Sequence, residues 1–294
     1  MINMVYEGAI YRPPSEAGSF ILQTTIGCSH NSCIFCCSYS SKEFREREIG
    51  DIFADIDEVS ARHKGVGRVF LADGDAMVMG TEKLLMILEK LYGSFKLLER
   101  VGLYATPRDL LRKSPLELER LREAGLGIVY MGVETGNEEL LKWIRKGVSR
   151  AEISEAGIKA REAGLTVSVT VINGLGGVDK MVPHAADTAT LINEIDPHYL
   201  GLLTVMVVDG TPIAGMIERN EYKVPAPMEI LAEIRMMVEG LETSNCVFRA
   251  NHASNYLPLK GTLPDDKQKL LDTLDAMLIN GDAMRLKPEF LRGL

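Results

Sequence analysis

No stretch of the chain approaches the roughly 18 uninterrupted apolar residues that a membrane-spanning helix needs, so no transmembrane segment is expected. The opening "MINMVYEGAIYRPPSEAG" has no basic region followed by an apolar run, and no secretory signal is read there. Positive charge is in deficit: 33 Lys and Arg stand against 41 Asp and Glu, a net charge of −8. Nucleic-acid binders usually carry a basic face, so the balance favours a small-molecule or protein substrate over a nucleic acid. Aromatics are sparse, with a single tryptophan, and there is no low-complexity tract or internal repeat. Cysteine is almost missing after residue 37: four of the five lie within ten positions, and only Cys246 follows. With no membrane or secretion signal, the expected compartment is a reducing cytoplasm. There, clustered cysteines bind metal or do redox chemistry more often than they form disulfides.

What is present is a rhythm. From about residue 19, short β-branched runs alternate with longer helical ones. Strands are expected over 19–27, 67–73, 99–105, 127–134, 165–173 and 198–208. Helices are expected over 48–65, 81–95, 114–125, 137–147, 150–164 and 182–195. The third helix has local end signals: Ser114 reads as an N-cap, with Pro115 in the first turn and Gly125 beyond the end. Successive βα units imply a parallel sheet, and near-continuous apolar strands imply burial on both faces. A full eight-stranded barrel takes about 250 residues, so six units in the available length predict an α/β fold, a partial (β/α)6 TIM-like barrel. After "DGTP" the rhythm changes to a helix, the short strand "NCVFRA", a polar loop "NHASNYLPLKGTLP" and a last helix. The expected organisation is an N-terminal segment 1–18, a barrel 19–212 and a C-terminal extension 213–294.

The cysteine loop, "GCSHNSCIFCC", follows the first strand, where functional loops leave the C-terminal ends of parallel strands. Its spacing is Cys28-x4-Cys33-x2-Cys36, with Cys37 adjacent. Three metal readings compete. Structural zinc wants two separated ligand pairs, and a second pair is missing even if His30 helps. A plant-type two-iron centre uses this spacing plus a distant fourth cysteine, here Cys246, but βα repeats are a poor host for it. A cluster on three cysteines leaves one iron open for a ligand, as catalytic metal sites do, and explains the lack of an obvious fourth cysteine. The third reading accounts for most.

A three-cysteine loop after the first strand of a partial βα barrel resembles the radical S-adenosylmethionine (SAM) superfamily, and "CIFC" fits its aromatic before the last cysteine. The loop has four residues between its first two cysteines where the usual pattern has three. The resemblance covers roughly 19–208 and implies a four-iron cluster on Cys28, Cys33 and Cys36, with Phe35 near the adenine of SAM. "LADGDA" stands at the Gly-Gly-Glu segment, which puts Asp73, Gly74 and Asp75 beside the methionyl amino group. "MGVETGNEELLKWIRKG" resembles the fourth-strand segment of the oxygen-independent coproporphyrinogen oxidase, methylthiotransferase and Elongator-type branches. That likeness implies Glu134 at the ribose and Lys146 at the SAM carboxylate. "VTVINGLGG" resembles their fifth-strand segment, with Thr170 at a ribose-binding position and Gly174, Gly176 and Gly177 letting backbone approach the adenosine. Tyr104, in "YATP", joins the cofactor-side set but stands where the porphyrinogen oxidase has a glutamate, so that enzyme's reaction does not carry over. A subgroup of short members shares "GCSHN-x-C-x-FC" and "NYLPLKG".

The same resemblance implies reductive cleavage of SAM to a 5′-deoxyadenosyl radical that takes hydrogen from a substrate, with flavodoxin or ferredoxin as electron donor. No second cysteine cluster is present, which argues against branches needing auxiliary clusters. Asn251, His252 and Asn255 are candidates for the substrate side. Plainer roles exist for several residues: Asp73, Asp75 and Glu134 could cap helices, and Lys146 could be a basic helix end. Cys37 and Cys246 read as packed thiols. The rival function is a non-catalytic iron–sulfur protein with Cys246 as fourth ligand.

Overall fold

The apolar run at 19–27 breaks in two. β1 (Phe20–Gln23) enters the main sheet, whereas β2 (Thr25–Ile26) turns aside to pair antiparallel with β3 (Arg45–Glu46). The computed structural model describes residues 6–281 and 286–293; residues 1–5 of the expected N-terminal segment, and 282–285 and 294 of the expected extension, lie outside the described residues. The remaining expected strands form β4 (Arg68–Ala72), β5 (Arg100–Ala105), β6 (Leu126–Glu134), β7 (Thr166–Asn173) and β8 (Tyr199–Thr204). Two further strands, β9 (Cys246–Ala250) and β10 (Leu259–Leu263), follow in the C-terminal part. The eight-stranded sheet runs β1-β4-β5-β6-β7-β8-β9-β10. β9 pairs parallel with β8, and β10, read from sequence as part of a polar loop, pairs antiparallel with β9. The α/β, mostly parallel architecture is as expected, with two strands more than six.

The chain divides into two compact units: Met1–Asn31, Ser38–Met131 and Lys159–Val167 form one, and Ser32–Cys37, Gly132–Ile158 and Ser168–Leu294 the other. In the first, β1, β4, β5 and the start of β6 lie parallel, in the registers Gln23↔Ala72, Leu71↔Leu103 and Leu103↔Val129. α1 (Ile49–Arg62) buries Ile52, Ile56 and Val59, and α2 (Thr81–Ser94) buries Leu84, Ile87, Leu88 and Leu91. Those spacings make one apolar stripe per helix, and each such side chain contributes about 1.5–3 kcal/mol on burial. α3 (Pro107–Arg112) is a short helix the sequence reading passed over, and α4 (Pro115–Glu123) carries the expected Ser114 cap, completed as a capping box by Glu117.

In the first unit the half-buried Tyr104 ring stands edge-on to Phe70 at 5.0 Å and to Tyr130 at 6.2 Å. Burial pushes the Tyr104 phenol well above its ordinary range. The Tyr130 hydroxyl is spoken for by the buried Glu16, which also receives Arg100 at 2.5 Å.

The second unit holds α5 (Glu138–Trp143), most of α6 (Arg150–Glu162), α7 (Met181–Ile195), α8 (Pro212–Glu218), α9 (Pro227–Gly240) and α10 (Lys267–Asn280). α7 packs on α9 and α9 on α10. β7 alternates strictly: Val167, Val169 and Val171 are buried, and Thr166, Ser168 and Thr170 share the half-exposed face. No helix among the described residues is long and apolar enough to cross a membrane.

Candidate active site

In the first unit, two strand ends meet at the start of the cysteine loop. Asp73, directly after β4, is fully buried, and its Oδ2 accepts from the Gly27 N–H at 3.1 Å and from Gln23 Nε2 at 3.0 Å. The same oxygen faces Lys42 Nζ at 2.7 Å, and Lys42 also donates to the Ala9 carbonyl at 2.6 Å. Lys42 is buried too. A charged pair out of water needs close geometry and further hydrogen bonds to offset its desolvation, and Gly27, Gln23 and Ala9 supply them. Asp75, also fully buried, accepts from the Ser29 N–H at 3.1 and 3.2 Å and from the Ser29 hydroxyl. Burial pushes its carboxyl up to about 6; the Ser29 bonds oppose that rise, and Asp109 adds to it. Both acids that the sequence sets beside SAM thus grip the backbone on either side of Cys28.

Gly74 lies between them. Its N–H donates to the Gly27 carbonyl at 3.1 Å, and a Cβ there would fall 2.8 Å from Cys28 Cβ and 2.8 Å from the Tyr39 ring. Such contacts are far inside van der Waals distance, and neither neighbour is the loose end of a flexible chain. Gly74→Ala is therefore expected to displace Cys28 and to lose most of its iron on anaerobic reconstitution while keeping the wild-type far-ultraviolet circular dichroism. Iron and sulfide analysis checks it.

In the second unit, the Cys36 N–H closes a turn onto the Cys33 carbonyl at 3.2 Å. Between them Ile34 is fully buried; its N–H donates to the Ile144 carbonyl at 3.1 Å, and its own carbonyl accepts from the Ile213 N–H at 3.2 Å. Ile213 belongs to α8, so the segment after "DGTP" helps hold the cysteine loop. Phe35, Cys33, Cys36 and Cys37 are half-buried, and none of the five cysteines is in a disulfide. Burial, then the adjacent Cys36, pushes the Cys37 thiol up. Cys246 is buried at the start of β9, and burial pushes its thiol up to about 12.

Glu134 ends β6 in the left-handed region, φ 64°, a conformation that costs a non-glycine residue about 1–3 kcal/mol and gathers at functional sites. Lys146 Nζ stands 2.8 Å from Glu134 Oε1, with side chains 11% and 12% exposed. α5 has ended at Trp143, so Lys146 is no helix terminus; left-handed Arg145 turns the chain back toward Glu134. Gly132 makes room: a Cβ there would sit 2.2 Å from Glu134 Oε1 and 2.9 Å from Lys146 Nζ.

Beyond β7 the chain turns at Gly174, φ 86°, and Gly177, φ 60°. Asn173, which the sequence reading passed over, is fully buried; its Nδ2 donates to the Leu203 carbonyl at 3.1 Å, and its Oδ1 has no partner among the described residues. The three substrate-side candidates part company. Asn255 is spent inside the unit, accepting from the Thr204 hydroxyl at 2.9 Å and donating to the Leu202 carbonyl at 2.7 Å. His252 takes the Ser254 N–H at 3.2 Å on Nδ1, and burial and Lys287 lower its pKa. Asn251 is exposed.

The residues fit a thiolate-bound iron cluster by their donor chemistry, three cysteines within nine positions of chain. Each unit, taken by itself, holds a buried acceptor without a hydrogen-bond partner among the described residues that suits an amino or hydroxyl donor: Asp73 Oδ1 in the first and Asn173 Oδ1 in the second. Among the described residues, no three His, Cys, Asp or Glu side chains are already grouped as a metal site.

A family model described as the radical SAM superfamily matches residues 22–189, more than half of the chain. A protein of Methanocaldococcus jannaschii bearing a methylthiotransferase name is 27% identical over 161 residues, 51% of this chain and 34% of its own. The heme chaperone HemW of Bacillus subtilis is 25% identical over 175 residues, 58% of this chain and 44% of its own. The chain thus spans less than half the length of either. Among solved structures, the coproporphyrinogen III oxidase HemN of Escherichia coli, a radical SAM enzyme, superposes with a TM-score of 0.55 at 18% identity, over 75% of this chain and 51% of that one. At that identity the likeness is one of fold.

Proposed function

Because the chain belongs to the radical SAM superfamily, and with it to enzymes that use a four-iron cluster, SAM and a reductant, we propose that Cys28, Cys33 and Cys36 hold the cluster and that Gly74, Glu134, Lys146 and Thr170 line the SAM site. When bound, the cluster and SAM would supply one-electron reductive cleavage of the sulfonium and, through it, hydrogen-atom abstraction from an unactivated C–H bond. Cys28, Cys33 and Cys36 would hold such a cluster with three thiolates, one fewer than a closed four-ligand structural site takes. The carboxylate of Glu134 would accept hydrogen bonds from ligand hydroxyls, and Lys146, 2.8 Å away, offers an ammonium that a ligand carboxylate would meet. Asp73 and Asp75 act one step behind, by fixing Gly27 and Ser29 around Cys28. The fold's contribution is orientation and exclusion of water; the cofactors supply the chemistry. The substrate is a small molecule, the electron donor a flavodoxin or ferredoxin, and the setting a reducing cytoplasm.

The observation that carries this reading is the braced loop: backbone groups of Gly27, Ser29 and Ile34, interleaved with the cysteines, each have a fixed partner. Anaerobic reconstitution, dithionite reduction and addition of SAM are expected to give 5′-deoxyadenosine by chromatography and a SAM-dependent change in the spin resonance of the reduced cluster. Cys28→Ala, Cys33→Ala and Cys36→Ala should each abolish both. A cluster that survives Cys33→Ala, or one that requires Cys246, would overturn the assignment in favour of an electron-transfer role. The raised Cys246 thiol argues against the second outcome, since metal ligation needs the thiolate.

A further inference from the structure

Two fully buried polar side chains of the second unit, His184 and Glu233, play no part in the site as described so far. Glu233 lies on the apolar face of α9, between Ile230 and Met237, where an aliphatic residue is the ordinary choice. Its Oε1 accepts the Gly174 N–H at 2.8 Å. The Gly174 carbonyl in turn accepts the Tyr222 hydroxyl at 2.6 Å. Both polar groups of the first residue in the β7 turn are therefore held by side chains from beyond residue 212. Glycine suits this position: its φ is positive, and a Cβ on Gly174 would lie 2.8 Å from Ile230 Cδ1 and 2.9 Å from Val205 Cγ1, so that a substitution would be strained.

Glu233 Oε1 also faces His184 Nε2 at 3.4 Å. On the other side of the ring, His184 Nδ1 lies 2.7 Å from the Thr135 hydroxyl. That hydroxyl oxygen also accepts the Asn137 N–H at 3.0 Å. Thr135 follows Glu134 directly. A chain of side-chain contacts thus runs from the end of β6, through α7 and α9, to the Gly174 turn. Glu233 Oε2 has no hydrogen-bond partner among the described residues, and burial lowers the His184 pKa against the opposing pull of the Ile172 backbone. Unpaired polar atoms in a core cost stability, and a well-packed apolar pair would join the helices without that cost. What the polar pair does, and an apolar pair could not, is accept the Gly174 N–H.

We propose that Thr135, His184 and Glu233 are positioning residues that set the Gly174 turn in register with Glu134, so that the ends of β6 and β7 meet SAM as one rigid rim. The inference rests on the assignment of the Glu134 end to SAM. It asks of the turn a fixed backbone rather than a side-chain contact, and none of the three residues touches the cofactor.

Glu233→Met removes the acceptor with little change in shape, Glu233→Gln keeps it, and Tyr222→Phe releases only the Gly174 carbonyl. In cofactor-free protein, hydrogen–deuterium exchange over residues 174–180 should quicken in Glu233→Met and Tyr222→Phe and stay slow in Glu233→Gln. In reconstituted protein of wild-type iron content, equilibrium dialysis should show SAM binding weakened in Glu233→Met by on the order of tenfold to a hundredfold, the loss an ångström of misplacement brings, and recovered in Glu233→Gln. Unchanged exchange in both Glu233→Met and Tyr222→Phe would overturn the proposal. So would quickened exchange with wild-type SAM affinity. Failure of the wild type itself to bind SAM would strike the SAM assignment instead, and the two failures are told apart by that control.

Discussion

Asp73→Ala is expected to cost about 3–5 kcal/mol of folding stability, the range for breaking a buried ion pair by removing one partner. The loss has a definite origin. Lys42, buried and 2.7 Å from Asp73 Oδ2, would lose its carboxylate and be left with the Ala9 carbonyl and the Tyr39 ring, 5.6 Å away. The Gly27 N–H and Gln23 Nε2 would lose the same acceptor. Gly27 precedes Cys28, so iron incorporation should fall with stability. Lys42→Met should be comparably harmful, because it leaves a buried carboxylate with hydrogen bonds from Gly27 and Gln23 but no cation against it. The double variant Asp73→Ala/Lys42→Met should cost well below the sum of the singles, since the desolvation of both charges disappears with them. Urea denaturation of the four proteins closes the cycle. Strict additivity would show that the pair is not coupled in the folded protein.

The second large effect is a pH dependence from the Glu233–His184 pair. Burial holds the Glu233 carboxyl up at about 8, against the downward pull of the Gly174 N–H, and burial pushes His184 down to about 4. Unfolded, the two titrate near their ordinary values of 4.5 and 6.5. Between those two values the pair carries one proton in either state, on Glu233 when folded and on His184 when unfolded, so it adds no slope. From about pH 6.5 to 8 the unfolded chain has released that proton and the folded protein keeps it. Stability then falls as pH rises, by roughly 2 kcal/mol at about 1.36 kcal/mol per pH unit. Above 8 the contribution is flat. Glu233→Gln should abolish that fall, leaving only the gain from His184 as pH rises from 4 to 6.5. Unfolding of wild type and variant in urea at several pH values between 6 and 9 measures the difference; parallel curves would sink the prediction.

How far these features could be read without coordinates depended on where their partners lie. Six strands were legible because runs such as "RVFLA" are apolar enough to be buried on both faces. The Ser114 box was legible because both of its members are local. The break between Gln23 and Thr25 was not, since it is set by pairing with Arg45 and Glu46 and by the Thr24 N–H reaching the Ala72 carbonyl. β10 hid between Pro258 and Pro264, and it contains Gly261, whose missing Cβ lets Asp266 approach. The two overlooked helices, α3 and α8, both begin Thr-Pro, a start signal that was present and unused. The cysteine spacing announced the candidate site, but the supports did not announce themselves. Lys42 looks like any surface lysine in "SSKEFRER", and only the fold brings it to Asp73. Glu233 did leave a trace, as an acid interrupting an apolar helical stripe.

The two backbone bonds of Ile34 bear on the protein's synthesis. Ile144 and Ile213, which clamp the middle of the cysteine loop, leave the ribosome long after Cys36 does. At about 5–20 residues per second of translation, the loop waits on the order of 10–35 s for its second clamp. During that interval its thiols belong to a nascent chain with no fixed geometry, open to oxidation and to the wrong metal. Iron delivery that needs the clamped loop would follow the synthesis of residue 213, and low oxygen during expression is the condition expected to protect the thiols until then.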